Sequence, residues 1–147
     1  MIKDDIINEL KYFELDSSSI IANLINQLLE TNDIINIGLS GGSTPLPILN
    51  LVKDHTIDFK RINFFIVDER NVSNNSNDSN YYNLNHSFFK YINSNVFCYD
   101  DKISKELSVI NYQNIILSKL PMSNLLPKFD LILLGMGLDG HTASIFP

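Results

Sequence analysis

Near its end the chain runs Leu134-Gly135-Met136-Gly137-Leu138-Asp139-Gly140-His141-Thr142-Ala143-Ser144-Ile145-Phe146-Pro147. A histidine titrating near neutral pH suits the removal of a proton from water, and a carboxylate two residues away suits fixing its tautomer. His141 and Asp139 are therefore candidate catalytic residues. A lone loop histidine is more often satisfied by backbone, but the flanking glycines and the aspartate argue for chemistry here. Gly135, Gly137 and Gly140 formally match G-x-G-x-x-G after an apolar run, the dinucleotide fingerprint. The seven residues after Gly140 hold no second strand with an acid for a ribose hydroxyl, so the block is read as a loop presenting Asp139 and His141.

Two further blocks carry chemistry. In Ser40-Gly41-Gly42-Ser43-Thr44-Pro45, Gly41 and Gly42 permit a tight turn. Thr44 suits a helix N-cap and Pro45 the first helical position. A helix start with free amides and the hydroxyls of Ser43 and Thr44 favours an anion such as phosphate. Taken alone, an ordinary strand-to-helix turn explains the block equally well, and without a following Lys it is not a Walker motif. In Val67-Asp68-Glu69-Arg70, Arg70 offers a planar fork for phosphate. Asp68 suits a hydroxyl or a proton-transfer partner. Glu69 is open between function and a local ion pair.

These blocks need elements to position them. Ile34–Leu39, Ile62–Val67 and Phe129–Leu134 are apolar runs of the kind buried parallel strands show. Helical patterns lie between them: one after Ser17–Ser19 through Leu29, then Pro45–Val52, about 79–92, and about 102–120. Alternation of strand and helix predicts an α/β fold, a doubly wound, mostly parallel, Rossmann-like sheet. Ligands in such sheets bind beyond the carboxyl ends of the strands, where all three blocks fall. The Asn-rich stretch 71–80 reads as a surface loop. Tyr81, Tyr82, Phe88, Phe89 and Tyr91 read as core, and His55 and His86 as structural or solvent-exposed.

The 147 residues carry a net charge of −6, which argues against nucleic acid as a partner. Cys98, the single cysteine, reads as a small buried hydrophobe. No His, Cys and carboxylate set has ligand spacing, so no metal is expected. Acids stand at the N-terminus where a signal peptide needs a basic flank, and no run is long enough to span a membrane. A cytoplasmic protein is expected, with no membrane partner. The sequence specifies no oligomeric state.

Taken together, SGGSTP, VDERNV followed by Asp78-Ser79-Asn80, and LLGMGLDGHTASIFP resemble the signature set of the 6-phosphogluconolactonases. Related glucosamine-6-phosphate deaminases and isomerases carry a similar glycine turn and Asp-Gly-His, but their second block is closer to Leu-Asp-Glu-Tyr. The resemblance implies a cofactor-free hydrolase of a phosphorylated sugar lactone, in the oxidative pentose phosphate pathway. His141 would activate water with Asp139 in support. Gly41, Gly42, Ser43, Thr44 and Arg70 would bind the substrate's phosphate end, and Asp68 would sit near the sugar hydroxyls or the reacting carbon. Ser73 departs from the family, which usually has Pro there, with little consequence expected. Family members run on by roughly half a domain. The chain is thus expected to be a single partial domain, 1–147, incomplete at the C-terminal side, with weak or no catalysis as an isolated polypeptide.

Overall fold

A computed structural model of the chain describes residues 12–147. Helix α1 (Phe13–Thr31), strand β1 (Ile35–Leu39), α2 (Pro45–Val52), β2 (Ile62–Ile66) and α3 (Asn80–Ser87) come first. β3 (Asn95–Phe97), α4 (Lys105–Lys119), the two-residue strands β4 (Met122–Ser123) and β5 (Leu126–Pro127), and β6 (Leu131–Leu133) follow. The main sheet has the order β3-β2-β1-β6, and every pairing in it is parallel. The chain leaves β1 toward β2 and β3 on one side, then returns to β6 on the other. The topological switch point, where such sheets bind ligands, therefore lies between β1 and β6.

The two faces of the sheet are built differently. On one face Ile35, Ile37 and Leu39 of β1 join Ile62, Phe64 and Ile66 of β2, at period two. Against them pack Ile25 and Leu29 of α1, Ile48, Leu49 and Val52 of α2, and Leu84 of α3. Phe88 is fully buried here, edge-on to Phe59 and Phe64; truncating such a ring to Ala costs about 3–5 kcal/mol. On the other face Phe65 meets Tyr112 of α4, with Phe97, Ile115 and Ile116 around them. The doubly wound α/β expectation thus holds, with three helices on one face and α4 on the other.

The second face also holds a polar ladder. Asn36, Asn63 and Asn95 occupy partnered positions on β1, β2 and β3. Asn63 Nδ2 donates to Asn36 Oδ1 and Asn95 Nδ2 to Asn63 Oδ1, both at 3.0 Å. The backbone N–H of Asn36 donates to Asp130 Oδ2 at 2.8 Å. A one-residue slip would put these amides into the apolar face, so the ladder pins the register.

Several expectations need correction. Helix α1 begins at Phe13, and Ser17–Ser19 lie inside it: the Ser18 and Ser19 hydroxyls donate to the Leu15 carbonyl instead of capping. α3 ends at Ser87, where Phe88 leaves helical geometry at φ −135°, ψ −63°, and Tyr91 is exposed, not core. Ser79 and Asn80 are buried at the start of α3, so the surface loop stops at Asp78. β6 is shorter than its apolar run, with Ile132 and Leu134 exposed. β3 and the β4–β5 hairpin, which turns through Asn124 and Leu125 at positive φ, had no sequence signal.

Candidate active site at the carboxyl edge of the sheet

The glycine turn leaves β1 at its carboxyl end. The Ser40 N–H donates to Leu133 O at 3.1 Å, carrying the β1–β6 ladder one residue further. Gly42 then turns at φ 115° and Pro45 opens α2. Thr44 stands before the helix but makes no side-chain cap. Its backbone is already helical (φ −73°, ψ −46°), and a capping hydroxyl needs an extended residue to reach the amides ahead. Ser43 and Thr44 are exposed, so both hydroxyls and the uncapped start of α2 face outward at the sheet edge.

The acid block leaves β2 at the same edge. Glu69, which the sequence left open, is a structural clamp. Its carboxylate accepts from the N–H groups of Asn80 (2.7 Å) and Tyr81 (2.8 Å) and from Ser79 Oγ (3.1 Å). These are the first donors of α3, where a negative charge is favoured. Ser79 Oγ in turn accepts from Tyr82 N–H, completing the cap.

Asp68 is held from the same helix. Asn80 Nδ2 donates to the Asp68 carbonyl at 2.9 Å and to Asp68 Oδ2 at 3.1 Å. Asp68 Oδ1 is enclosed and has no donor. Asn80 also lies against the glycine turn: a Cβ at position 41 would fall 2.0 Å from Asn80 Oδ1 and 2.7 Å from its Cβ. Only glycine lets the two segments meet.

Arg70 is exposed, and among the described residues its guanidinium is in no ion pair. It shares a cleft of about 630 Å³ with Asp68, Tyr99, Lys105 and Ser144. Burial, then the nearby Asp68 and Glu69, raises the Tyr99 phenol. Cys98 is half-buried rather than buried. Its thiol is pushed up to about 11 by burial, with Glu69, Asp100 and Asp101 adding to this, so it is a poor nucleophile.

The third block forms a loop after β6 that folds on itself. Gly137 N–H donates to His141 O (2.8 Å), and Gly140 N–H to Gly137 O (2.9 Å). Thr142 and Ile145 form an antiparallel bridge, and Thr142 Oγ1 donates to Gly135 O. Inside this frame His141 Nδ1 stands 2.5 Å from Asp139 Oδ1. That bond, with the His141 N–H as a second donor, holds the Asp139 carboxyl below the usual carboxylate range. A Cβ on Gly137 would sit 2.2 Å from His141 Cε1 and 2.7 Å from Asp139 Oδ1. The glycine spacing therefore makes room for the pair. Phe146 stacks on the imidazole with centroids 5.1 Å apart.

The structure brings the acid block and the glycine turn together through Asn80, and Ser144 brings the histidine loop to the Asp68–Arg70 cleft. Asp139 pairs with His141 and with neither of the other blocks. Asn80 is the residue that reading by type passed over. Asn80 stood inside the Asp78-Ser79-Asn80 segment without a role, and nothing local marks it. His55 Nε2 is 3.4 Å from Ser18 Oγ, and His86 Nδ1 is 2.9 Å from Tyr82 O in its own helix. Among the described residues no three His, Cys, Asp or Glu side chains gather at one point, and no helix is long and apolar enough to cross a membrane.

A parallel α/β sheet with the glycine turn, acid block and histidine loop gathered at its carboxyl edge has the form of a small-molecule ligand site. Residues 14–147 match the family model described as glucosamine-6-phosphate isomerases/6-phosphogluconolactonase, and the chain belongs to that family. It is 39% identical over 146 residues to a probable 6-phosphogluconolactonase of Dictyostelium discoideum, covering 95% of this chain and 60% of that one. It is 38% identical over 125 residues to the 6-phosphogluconolactonase of Thermotoga maritima, covering 83% and 54%. The crystal structure of the Thermotoga maritima enzyme superposes with a TM-score of 0.85 at 34% identity, over 92% of this chain and 61% of that one. The 6-phosphogluconolactonase of Trypanosoma brucei gives 0.83 at 27% identity, over 97% and 62%. The chain thus spans little more than half the length of the curated relatives it matches.

Proposed function

We propose that the protein hydrolyses 6-phosphoglucono-1,5-lactone to 6-phosphogluconate, with His141 as the base. The observation that carries this reading is the Asp139–His141 pair, set by the Gly137 gap at the same sheet edge as the glycine turn and Arg70. With Nδ1 turned to Asp139, Nε2 is the nitrogen left to take a proton from water. The hydroxide adds to the lactone carbonyl, the tetrahedral oxyanion collapses, and the carbon–ring-oxygen bond breaks. The imidazolium returns its proton to the departing ring oxygen, so every group ends as it began. Asp139 opposes the positive charge that develops on the ring. The reaction uses the chain's own groups and draws on no cofactor.

Substrate binding follows from charge. Arg70, the Ser43 and Thr44 hydroxyls, and the amides of Gly41 and Gly42 in the turn before α2 suit a phosphate. Asp68, enclosed and short of a donor at Oδ1, suits a sugar hydroxyl. The relatives' names support the lactone as substrate, while the family description also includes glucosamine-6-phosphate isomerases.

The test is hydrolysis of freshly generated 6-phosphogluconolactone. It is run on the 147-residue chain and on that chain extended through the following in-frame coding sequence. Acceleration well above the spontaneous rate in either form supports the reading. A folded protein that leaves the lactone untouched but releases ammonia from glucosamine 6-phosphate replaces it with a deaminase. Binding of sugar phosphates without turnover replaces it with a binding module.

A further inference from the structure

We propose that Asn80 is a positioning residue of this site, fixing the rotation of the Asp68 carboxylate and locking the glycine turn against it. The inference rests on the reading of Asp68 and the glycine turn as substrate-binding groups, and it adds a residue that touches no substrate. Asn80 closes a ring through its neighbours. Its backbone N–H is held by Glu69, and its side-chain amide returns to Asp68, the residue before Glu69. Two oxygens of Asp68, neither able to donate when the acid is ionised, require that the amide nitrogen face them. That leaves Asn80 Oδ1 on the side of Gly41, as observed.

The start of α3 does not need this side chain. Ser79 Oγ and the Glu69 carboxylate already serve the backbone donors of Asn80, Tyr81 and Tyr82. The buried amide of Asn80, 4% exposed, is spent instead on Asp68. With Oδ2 held by Asn80, Oδ1 is the oxygen left to receive a hydroxyl, and a carboxylate that turned freely would offer neither in a fixed place. The contact with Gly41 transmits the same constraint to the phosphate turn. Any side chain at position 41 would push Asn80 away and release Asp68.

The experiment compares Asn80→Asp, which keeps the shape and removes the donor, with Asn80→Ala, Gly41→Ala and the double variant Gly41→Ala/Asn80→Ala. It uses whichever form of the protein hydrolyses the lactone. Both Asn80 variants should lower kcat/KM about 10- to 100-fold, the loss falling mainly on KM as for any loosened binding group. Asn80→Asp also sets a buried carboxylate against Asp68, so it should melt clearly below the parent, and Asn80→Ala serves as the uncharged comparison. The double variant should be no slower than Asn80→Ala alone, because the methyl at position 41 then has room. An Asn80→Asp enzyme with kcat/KM within about twofold of the parent overturns the proposal, as does multiplication of the two single losses in the double variant. If no form hydrolyses the lactone, the proposed function fails, and the Asn80 link is read separately by NMR on the 147-residue chain. Its side-chain amide protons should exchange slowly and shift on Asp68→Asn. Fast exchange with no shift overturns the link.

Discussion

The acid block and the histidine loop sit at one sheet edge but are held in opposite ways. Asp68 and Glu69 are braced from outside: α3, 12 residues away along the chain, supplies donors to both, and the glycine turn closes on top. Among the described residues, the hydrogen bonds to Asp139 and His141 come from within their own loop. Each hydrogen bond that shapes residues 135–147 comes from the loop itself, and its apolar side chains face outward, with Leu138 and Met136 almost wholly exposed. The first half is preorganised by tertiary structure, the second by backbone geometry and glycine spacing. The acid block is thus held by another element, while the Asp139–His141 pair depends on a short local frame.

The contrast is sharpest in what a substitution should change. His141→Ala removes the proposed base and should lower kcat about 10²- to 10⁴-fold, while leaving the melting temperature almost unchanged because its described hydrogen bonds lie within the loop. Glu69→Ala should do the reverse. Stripping three donors of α3 of their acceptor should cost about 2–4 kcal/mol of stability, read as a clear fall in melting temperature. Equal falls in stability for the two variants would erase the distinction. Arg70→Ala should raise KM about tenfold or more while sparing kcat, since the exposed guanidinium meets only a group that is present in both ground and transition states. A kcat loss without a KM change would place Arg70 in the chemical step.

The smallest expected effect concerns pH. The Asp139 carboxyl lies below its ordinary range because His141 donates to it. The stability that the pair contributes is therefore fully present above the ordinary carboxylate pKa and is lost as pH falls through the lowered value. Parent and Asp139→Asn should melt slightly apart near pH 7 and together at about pH 2. Exposure of the pair to solvent keeps the gap small. A gap that persists undiminished into acid would show that the Asp139 charge does not carry it.

The same contrast explains what could be read in advance. The histidine loop is legible from residue types alone, because Gly137, Asp139 and His141 shape one another over five residues. β1, β2, α2 and α4 are legible from apolar period and a Pro or Ser at the helix start. The bracing of Asp68 is not, because it depends on Gly41, Asp68 and Asn80 approaching from three separate segments. Glu69 looks the same in sequence whether it pairs with Arg70 or caps a helix. The Thr44 cap failed because the turn had already entered helical geometry, and Ser17–Ser19 misled because a hydroxyl in a helix can bond backward as well as cap. β3, which uses only the start of the short apolar run 96–99, and the small hairpin, which turns on the backbone at Asn124 and Leu125, are too short to show a strand pattern.

The central claim is that His141, oriented by Asp139, drives lactone hydrolysis at this edge. It is tested most directly by following acid release from 6-phosphogluconolactone with the active form of the protein and its His141→Ala variant side by side. The parent should release acid rapidly and the variant at a rate near the spontaneous one. A folded His141→Ala variant that hydrolyses the lactone as fast as the parent would contradict it.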